Sequence, residues 1–127
     1  MIYLDSSVAL AQLLSEDRRP RNDLWAESLV SSRLLEFEIM NVLRTRGHER
    51  THESLAKDLL SRIGLLELIP EVVGSTRRKA GTARTLDTLH LASAAFLMEN
   101  GADIQLASFD ARMLDGARKF RIPVYRL

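Results

Sequence analysis

The sequence opens with Met1-Ile2-Tyr3-Leu4-Asp5-Ser6-Ser7, a short apolar run that ends in an acid. Residues 2–4 have the β-branched and aromatic character of a buried strand, and a helical pattern begins at Val8. Asp5 is therefore predicted at the C-terminal tip of a strand. In an open parallel sheet this edge faces the ligand crevice, so Asp5 is a candidate for chemistry.

Length and composition indicate one ordinary globular domain covering residues 1–127. Hydrophobic residues make up 46% and charged residues 28%, and glycine and proline are too scarce for a disordered chain. Cysteine is absent, which excludes disulfides and thiolate metal sites and fits a reducing compartment. The start lacks the basic and apolar regions of a signal peptide, and no apolar run approaches the ~18 residues of a membrane span. We expect a soluble, cytoplasmic protein.

The net charge of +1 provides little general attraction to nucleic acid, but the basic residues are mostly arginine and are clustered. Arginine's planar fork suits phosphate, so local patches could bind a nucleic-acid backbone, although solvated surface charge is the simpler reading of any one cluster. The clusters are Arg18, Arg19 and Arg21; Arg44, Arg46, His48 and Arg50; and Arg77, Arg78, Lys79 and Arg84.

Strand patterns alternate with helix patterns along the chain. After the first strand, the sequence predicts strands at 29–32, 65–69 and 104–108, and an edge strand at 122–127. The predicted helices are one over 8–14 capped by Ser6 or Ser7, a short one at 23–27, and longer ones at 33–46, 51–63, 71–80, 86–99 and 111–119. The 33–46 helix is apolar on most of its circumference and is predicted to be largely buried; Gly47 ends it, and Gly81 ends the 71–80 helix. This alternation favours right-handed β-α-β crossovers and a parallel sheet with helices on both faces.

Two acids lie on apolar helix faces. Glu38 has no Lys or Arg at helical spacing, in contrast to Glu36, which follows Arg33 by three residues. Because a buried unpaired charge costs several kcal/mol, Glu38 is protonated, reaches solvent in a cleft, or is met by a cation. Asp87 also lacks a basic neighbour on its helix, although a first-turn acid favoured by the helix dipole would explain it alone.

Asp110 follows the fourth strand as Asp5 follows the first, and it also suits an N-cap for the last helix. Together, Asp5, Glu38, Asp87 and Asp110 could meet at one sheet edge. Several carboxylates in one cleft repel each other unless hard cations neutralise them, and oxygen ligands without His or Cys indicate Mg²⁺ or Mn²⁺. Such a site suits phosphodiester hydrolysis.

Four segments carry a resemblance to a known family. These are the run Ile2-Tyr3-Leu4-Asp5-Ser6-Ser7-Val8-Ala9-Leu10, the run 32–43 around Glu38, the run Thr85-Leu86-Asp87-Thr88-Leu89-His90-Leu91-Ala92, and Ser108-Phe109-Asp110. In this order they resemble the motifs of PIN-domain ribonucleases, most of all VapC-type toxins of bacterial toxin-antitoxin pairs. The resemblance covers nearly the whole chain and implies a PIN-like three-layer α/β/α fold with a central parallel sheet of four to five strands.

The resemblance also implies an activity: a Mg²⁺- or Mn²⁺-dependent endoribonuclease acting on single-stranded or loop RNA, inhibited by a cognate antitoxin and commonly a homodimer. Four acids match the family's catalytic, metal-binding quartet, with the first three as the expected direct ligands and the fourth as a ligand or outer acid: Asp5, Glu38, Asp87 and Asp110. Ser6 and Ser108 match hydroxyl positions expected to orient a ligand or water. Asp115 is a candidate for a further acid, and His90 is expected to pack or hydrogen-bond rather than act as a base. Arginines 44, 46 and 84 are expected to position the RNA backbone.

Other readings remain open at this level. Phosphoacceptor and phosphatase α/β proteins also place an Asp after the first strand, but they need a second acid where this chain has Ser6 and Ser7. A DNA-directed nuclease would share the metal chemistry. A PIN-like module with a degenerate site could serve protein binding, although unpaired acids on apolar faces have no stabilising value in such a module.

Overall fold

The computed structural model describes residues 1–76 and 84–127, and these contain one sheet of four parallel strands. The strands are β1 (Ile2–Leu4), β2 (Leu29–Ser32), β3 (Ile63–Leu66) and β4 (Gln105–Ala107), in the order β3-β2-β1-β4. The helices are α1 (Ser6–Leu13), α2 (Leu34–Thr45), α3 (Glu49–Ser61), α4 (Pro70–Ser75), α5 (Thr85–Glu99) and α6 (Ala111–Lys119), with a 3₁₀ turn at Asn22–Ala26. The predicted three-layer α/β/α fold is confirmed.

Strand β1 separates two apolar layers. Ile2 and Leu4 belong to a cluster with residues of α1, α2 and α3, whereas Tyr3 belongs to a second cluster with residues of α5 and α6. Both faces of the strand are buried, as the near-continuous apolar run of a central parallel strand requires. The first segment of the chain is thus the centre of the core.

The order of the strands places a crevice beside β1. The chain moves from β1 to β2 and β3 on one side and returns to β4 on the other, so the topology reverses between β1 and β4. In open α/β sheets, ligands bind outside the carboxyl ends of the strands at such a reversal. Asp5 follows β1 at this edge, and Asp110 follows β4. Helix α5 ends just before β4 begins, so the first turn of α5, with Asp87, also lies at this edge.

Two strands differ from the prediction because each can pair only along the length of its neighbouring strand. Residues 65–69 were predicted as the third strand, but β3 is Ile63–Leu66 because it pairs from Leu29↔Ile63 to Ser32↔Leu66, and β2 has no further residue to offer. The predicted edge strand at 122–127 is reduced to a single bridge between Leu106 and Val124, beside a β4 of three residues.

Helix boundaries also differ from the prediction in places. Gly47 ends α2 with a φ of 72°, as predicted, and the N–H of His48 donates to the carbonyl of Leu43 at 2.7 Å. This tight reversal lets α3 begin at Glu49 rather than at Thr51. The cap of α1 is Asp5 rather than Ser6 or Ser7. The predicted extension of α4 to residue 80 and its stop at Gly81 lie outside the described residues.

The prediction that α2 is largely buried is wrong. Only one stripe is fully buried, at Leu35, Ile39 and Leu43, which recur every four residues and face the sheet. Phe37 is 65% exposed, although it is as apolar as the buried residues. Glu38 lies beside the buried stripe and is partly buried.

Three further facts concern the surface and the remaining helices. The 3₁₀ turn at Asn22–Ala26 matches the short helix predicted at 23–27. Glu36 pairs with Arg33 at 2.9 Å on the surface, as its spacing indicated. Within residues 1–76 and 84–127, no helix combines the length and the apolar character that crossing a membrane requires.

Candidate active site

Asp5 is buried at the tip of β1 and is held by serine hydroxyls. The Ser7 hydroxyl donates to Asp5 Oδ2 at 2.5 Å, the Ser108 hydroxyl donates to the same oxygen at 2.8 Å, and the Ser7 N–H lies 3.4 Å away. Asp5 is only 4% exposed, so these donors offset the cost of removing its charge from water. Each described hydrogen bond of the carboxylate ends on Oδ2, which leaves Oδ1 without a protein donor among the described residues.

The same two hydroxyls tie the loop after β4 to the tip of β1. The Phe109 N–H donates to Ser7 Oγ at 3.0 Å, and the Asp110 N–H donates to Ser108 Oγ at 3.0 Å. Asp110 itself is exposed and caps α6, because its Oδ1 accepts the N–H of Arg112 at 2.8 Å. The predicted capping role of Asp110 is thus seen, and its carboxylate stays close to the Asp5 corner of the crevice.

Of the two hydroxyls expected to orient a ligand or water, that of Ser108 donates to Asp5. The second hydroxyl that donates to Asp5 is that of Ser7 and not that of Ser6, whose side chain makes no hydrogen bond within the described residues. The cause is the cap geometry of α1. Asp5 is the N-cap, and an N-cap carboxylate reaches the residue two positions later.

Glu38 has the partner that its own helix lacks. His90 reaches from α5, and its Nε2 lies 2.7 Å from Glu38 Oε2. The His90 side chain is 1% exposed and that of Glu38 14%, so this contact is nearly dry. Glu38 thus meets no Lys or Arg within the described residues; its partner is a hydrogen-bonding imidazole that comes from another helix.

A buried tyrosine orients this histidine. The Tyr3 hydroxyl lies 2.9 Å from His90 Nδ1, and the two rings meet edge to face at 5.9 Å between centroids. Burial raises the pKa of the Tyr3 phenol well above its ordinary value, so the hydroxyl stays protonated. The ionised Glu38 can only accept, so Nε2 carries a proton and donates to it, and in the neutral ring Nδ1 accepts the phenol hydrogen. Sequence spacing does not reveal this series of contacts from Tyr3 through His90 to Glu38, because the three residues lie on β1, α5 and α2.

Asp87 lies in the first turn of α5 and is partly buried. Burial raises the pKa of its carboxyl, and the charges of Asp110, Asp5 and Glu38 raise the pKa further, while His90 acts in the opposite direction. Asp87 accepts no hydrogen bond from any described residue. Its raised pKa therefore reports uncompensated negative charge in the crevice, and it links all four predicted acids electrostatically.

Asp115, Arg44, Arg46 and Arg84 form no ion pair with the four acids among the described residues. Asp115 pairs with Lys119 at 3.3 Å in an exposed i,i+4 contact on α6, as surface acids commonly do. Arg44 pairs with Glu49 at 3.4 Å, and Arg84 is exposed directly before α5. Arg46 lies nearer the crevice and pairs with Glu16 at 3.8 Å. Arg77, Arg78 and Lys79 lie outside the described residues.

The donor set fits a hard divalent cation by its chemistry. The crevice presents carboxylate oxygens with excess negative charge, which suits Mg²⁺ or Mn²⁺ better than a softer metal. Within the described ranges, no three His, Asp or Glu side chains converge tightly enough to form a closed metal site. An open arrangement is compatible with Mg²⁺, which keeps several waters and commonly uses only one or two carboxylates.

A parallel sheet with acids at the edge where its topology reverses is an α/β arrangement that suits the binding of a ligand or a metal ion. The chain matches the family model of the PIN domain over residues 2–119, and it belongs to that family. PIN domains are generally metal-dependent nucleases and typically bind divalent metals, which supports a hydrolase at this level. Neither the curated proteins nor the solved structures yielded a match.

Proposed function

We propose that this chain is a Mg²⁺- or Mn²⁺-dependent endoribonuclease that hydrolyses phosphodiester bonds in single-stranded or loop RNA. The observation that carries the proposal is the position of the acids: Asp5 and Asp110 follow β1 and β4, and Asp87 lies in the first turn of α5, at the edge where the topology of the sheet reverses. Burial and the charges of Asp110, Asp5 and Glu38 raise the pKa of Asp87, which supports the proposal. Negative charges that raise the pKa of a partly buried carboxyl destabilise the fold when that carboxyl is ionised. A cation-dependent activity accounts for that cost, whereas a purely structural role does not.

The proposed roles follow from how each carboxylate is held. Asp5, Glu38 and Asp87 would bind the ion, and Asp110 would be a further ligand or an acid that orients water. When bound there, a divalent ion activates a water molecule and offsets negative charge on the phosphate. Ser7 and Ser108 fix Asp5 through Oδ2, so that Oδ1 is free of protein donors in the described chain. His90 fixes Glu38 through one oxygen in the same way.

Purified protein tests the activity directly. We expect cleavage of single-stranded RNA with Mg²⁺ or Mn²⁺ and none in EDTA, with new ends located by sequencing. A DNA strand of the same sequence serves as the parallel substrate. Cleavage of DNA alone would favour the DNA-directed nuclease instead, and no cleavage of either strand in both metals would favour the protein-binding module.

We further propose a toxin role, with a cognate antitoxin protein as inhibitor and a homodimer as the working form. The motif resemblance supports this, and so do large apolar side chains left at the surface, including Phe37 at 65% and Leu55 at 56% exposure. Expression in a bacterium without the antitoxin should arrest growth, and an inactive Asp5→Asn variant should not. Light scattering on the purified chain should give the mass of a dimer; unimpaired growth or a monomer would contradict the respective claim.

A further inference from the structure

A groove opens beside the carboxylates and shares residues with them. Its volume is about 320 Å³, and its lining includes Ser7 and Asp110 of the site together with Glu16, Arg18, Arg46 and Phe109. Ser7 is the residue whose hydroxyl binds Asp5 at 2.5 Å. A ligand in the groove would therefore lie next to the proposed cleavage centre and continue into it.

Two guanidinium groups of the groove are available to an incoming anion. Arg46 contacts Glu16 at 3.8 Å, but both side chains are about half exposed, at 56% and 45%, and such solvated pairs contribute little. Arg18 has no carboxylate within 4 Å among the described residues. Its guanidinium lies over the Phe109 ring, 5.1 Å from the centroid. Phosphate offers the oxygens that both forks can bind in pairs.

The groove also contains an aromatic surface. Phe109 is partly buried and packs against the core, so its ring is held in place while Arg18 covers one face. Bases stack on such rings and on arginine planes regardless of sequence. At about 320 Å³ the groove lies at the lower end of the range of small-ligand pockets, which begins at roughly 300 Å³, so it offers room for about one nucleotide.

We propose that the groove is a subsite for one nucleotide of single-stranded RNA, adjoining the phosphate that is cleaved. Arg18 and Arg46 bind the backbone phosphates, and the base stacks on the outer face of the Arg18 plane, which the Phe109 ring supports from the other side. The proposal rests on the proposed nuclease function. It also answers an electrostatic difficulty, because a phosphate that approaches the four acids is repelled, and these arginines supply opposite charge at the entrance.

Binding without cleavage tests the subsite. The parent is Asp87→Asn, which loses a repelling charge and breaks no hydrogen bond to a described residue. Anisotropy of a short fluorescein-labelled RNA is measured between about 50 and 200 mM salt. In this background, Arg18→Ala and Arg46→Ala should each weaken binding roughly 3- to 10-fold and lower the salt slope by about one.

Matched variants separate binding from structure. Arg21→Ala is the control, since Arg21 lies in the same loop but pairs with Asp23 at 2.7 Å and does not line the groove. Arg18→Lys keeps the charge and should restore most of the salt slope. Phe109→Leu keeps apolar volume and should weaken binding at least about fivefold by loss of stacking.

The subsite is overturned if Arg18→Ala and Arg46→Ala bind RNA as tightly as Arg21→Ala at every salt concentration, or if the parent binds no RNA. Losses seen with a matching DNA strand but not with RNA overturn it as well. The two proposals fail separately: RNA cleavage without an effect of the arginines leaves the nuclease and removes the subsite. Arginine-dependent binding without any cleavage by the wild type leaves the subsite and removes the nuclease.

Discussion

Asp5 and Glu38 are neighbouring corners of one crevice, and the chain holds them in different ways. Asp5 accepts from the neutral hydroxyls of Ser7, in the first turn of α1, and of Ser108, in the loop that follows β4. Glu38 instead meets the imidazole of His90, which reaches across from α5 and is backed by a buried tyrosine. The first corner is built from the sheet edge itself, and the second depends on how two helices pack. The Asp5 corner should therefore tolerate helix shifts that the Glu38 corner does not.

The largest effect is expected from removing the Asp5 charge. Asp5→Asn keeps an oxygen for the serine donors but removes an anionic ligand, so cleavage should fall by more than about 100-fold in a folded protein. RNA cleavage with Mn²⁺ and circular dichroism measure this together. Asp103→Asn is the control, because Asp103 is an exposed acid before β4, at the opposite edge of the sheet. Full activity of pure Asp5→Asn would falsify the assignment.

Removing the His90 contact with Glu38 should reduce cleavage less than Asp5→Asn does. His90→Leu keeps apolar packing but removes the N–H that holds Glu38 Oε2, so activity and Mn²⁺ affinity should fall roughly 10- to 100-fold. His90→Gln can still donate to Glu38 and accept from Tyr3, and it should recover most of the affinity. Isothermal titration calorimetry with Mn²⁺ on the two variants distinguishes the hydrogen-bonding role of His90 from its packing role. If His90→Gln binds Mn²⁺ as weakly as His90→Leu does, the hydrogen bond to Glu38 is not what matters, and the role of His90 is packing alone.

Removing one of the two serine hydroxyls that donate to Asp5 should reduce cleavage by a smaller factor still, because the second hydroxyl remains. Ser7→Ala or Ser108→Ala should each lower cleavage roughly tenfold, since each removes one hydrogen bond to a buried charge. Ser6→Ala provides the adjacent control and should leave kcat/KM unchanged. A larger loss in Ser6→Ala than in Ser7→Ala would reverse the assignment and restore the sequence-based choice.

The two carboxylates also show which parts of the site can be predicted from the sequence and which cannot. Asp5 and Asp110 could be placed because a strand ending in an acid has a strong local pattern, and parallel strands bring their ends together. The contact between Glu38 and His90 could not, since a separation of 52 residues carries no periodic signal. Ser6 and Ser7 differ only in cap geometry, which composition does not resolve. The ends of β3 were missed because the length of β2 limits the pairing, and that limit is not local to β3.

Among the described residues, Asp87 has neither hydroxyl donors like those of Asp5 nor an imidazole partner like that of Glu38. Its substitution should therefore have the smallest effect of those considered, a change in melting temperature, and that change reports directly on repulsion among the acids. The folded chain raises its pKa through burial and through Asp110 and Asp5, so the fold binds this proton more tightly than the unfolded chain does. Stability should therefore fall as pH rises from the unfolded pKa, about 3.9, through the higher folded pKa. In EDTA at neutral pH, Asp87→Asn should melt roughly 2–5 °C above wild type.

The pH and metal dependence of that difference identify its cause. About one pH unit below the unfolded pKa of about 3.9, Asp87 is protonated in both the folded and the unfolded chain, so the advantage of Asp87→Asn should disappear. Adding Mn²⁺ should reverse the order, because binding to the folded wild type raises its melting temperature while the variant has lost a ligand. Asp115→Asn is the control, since Asp115 pairs with Lys119 on the surface and should show no gain. A gain for Asp87→Asn that persists at low pH would mean that side-chain packing, and not repulsion among the four acids, sets its stability.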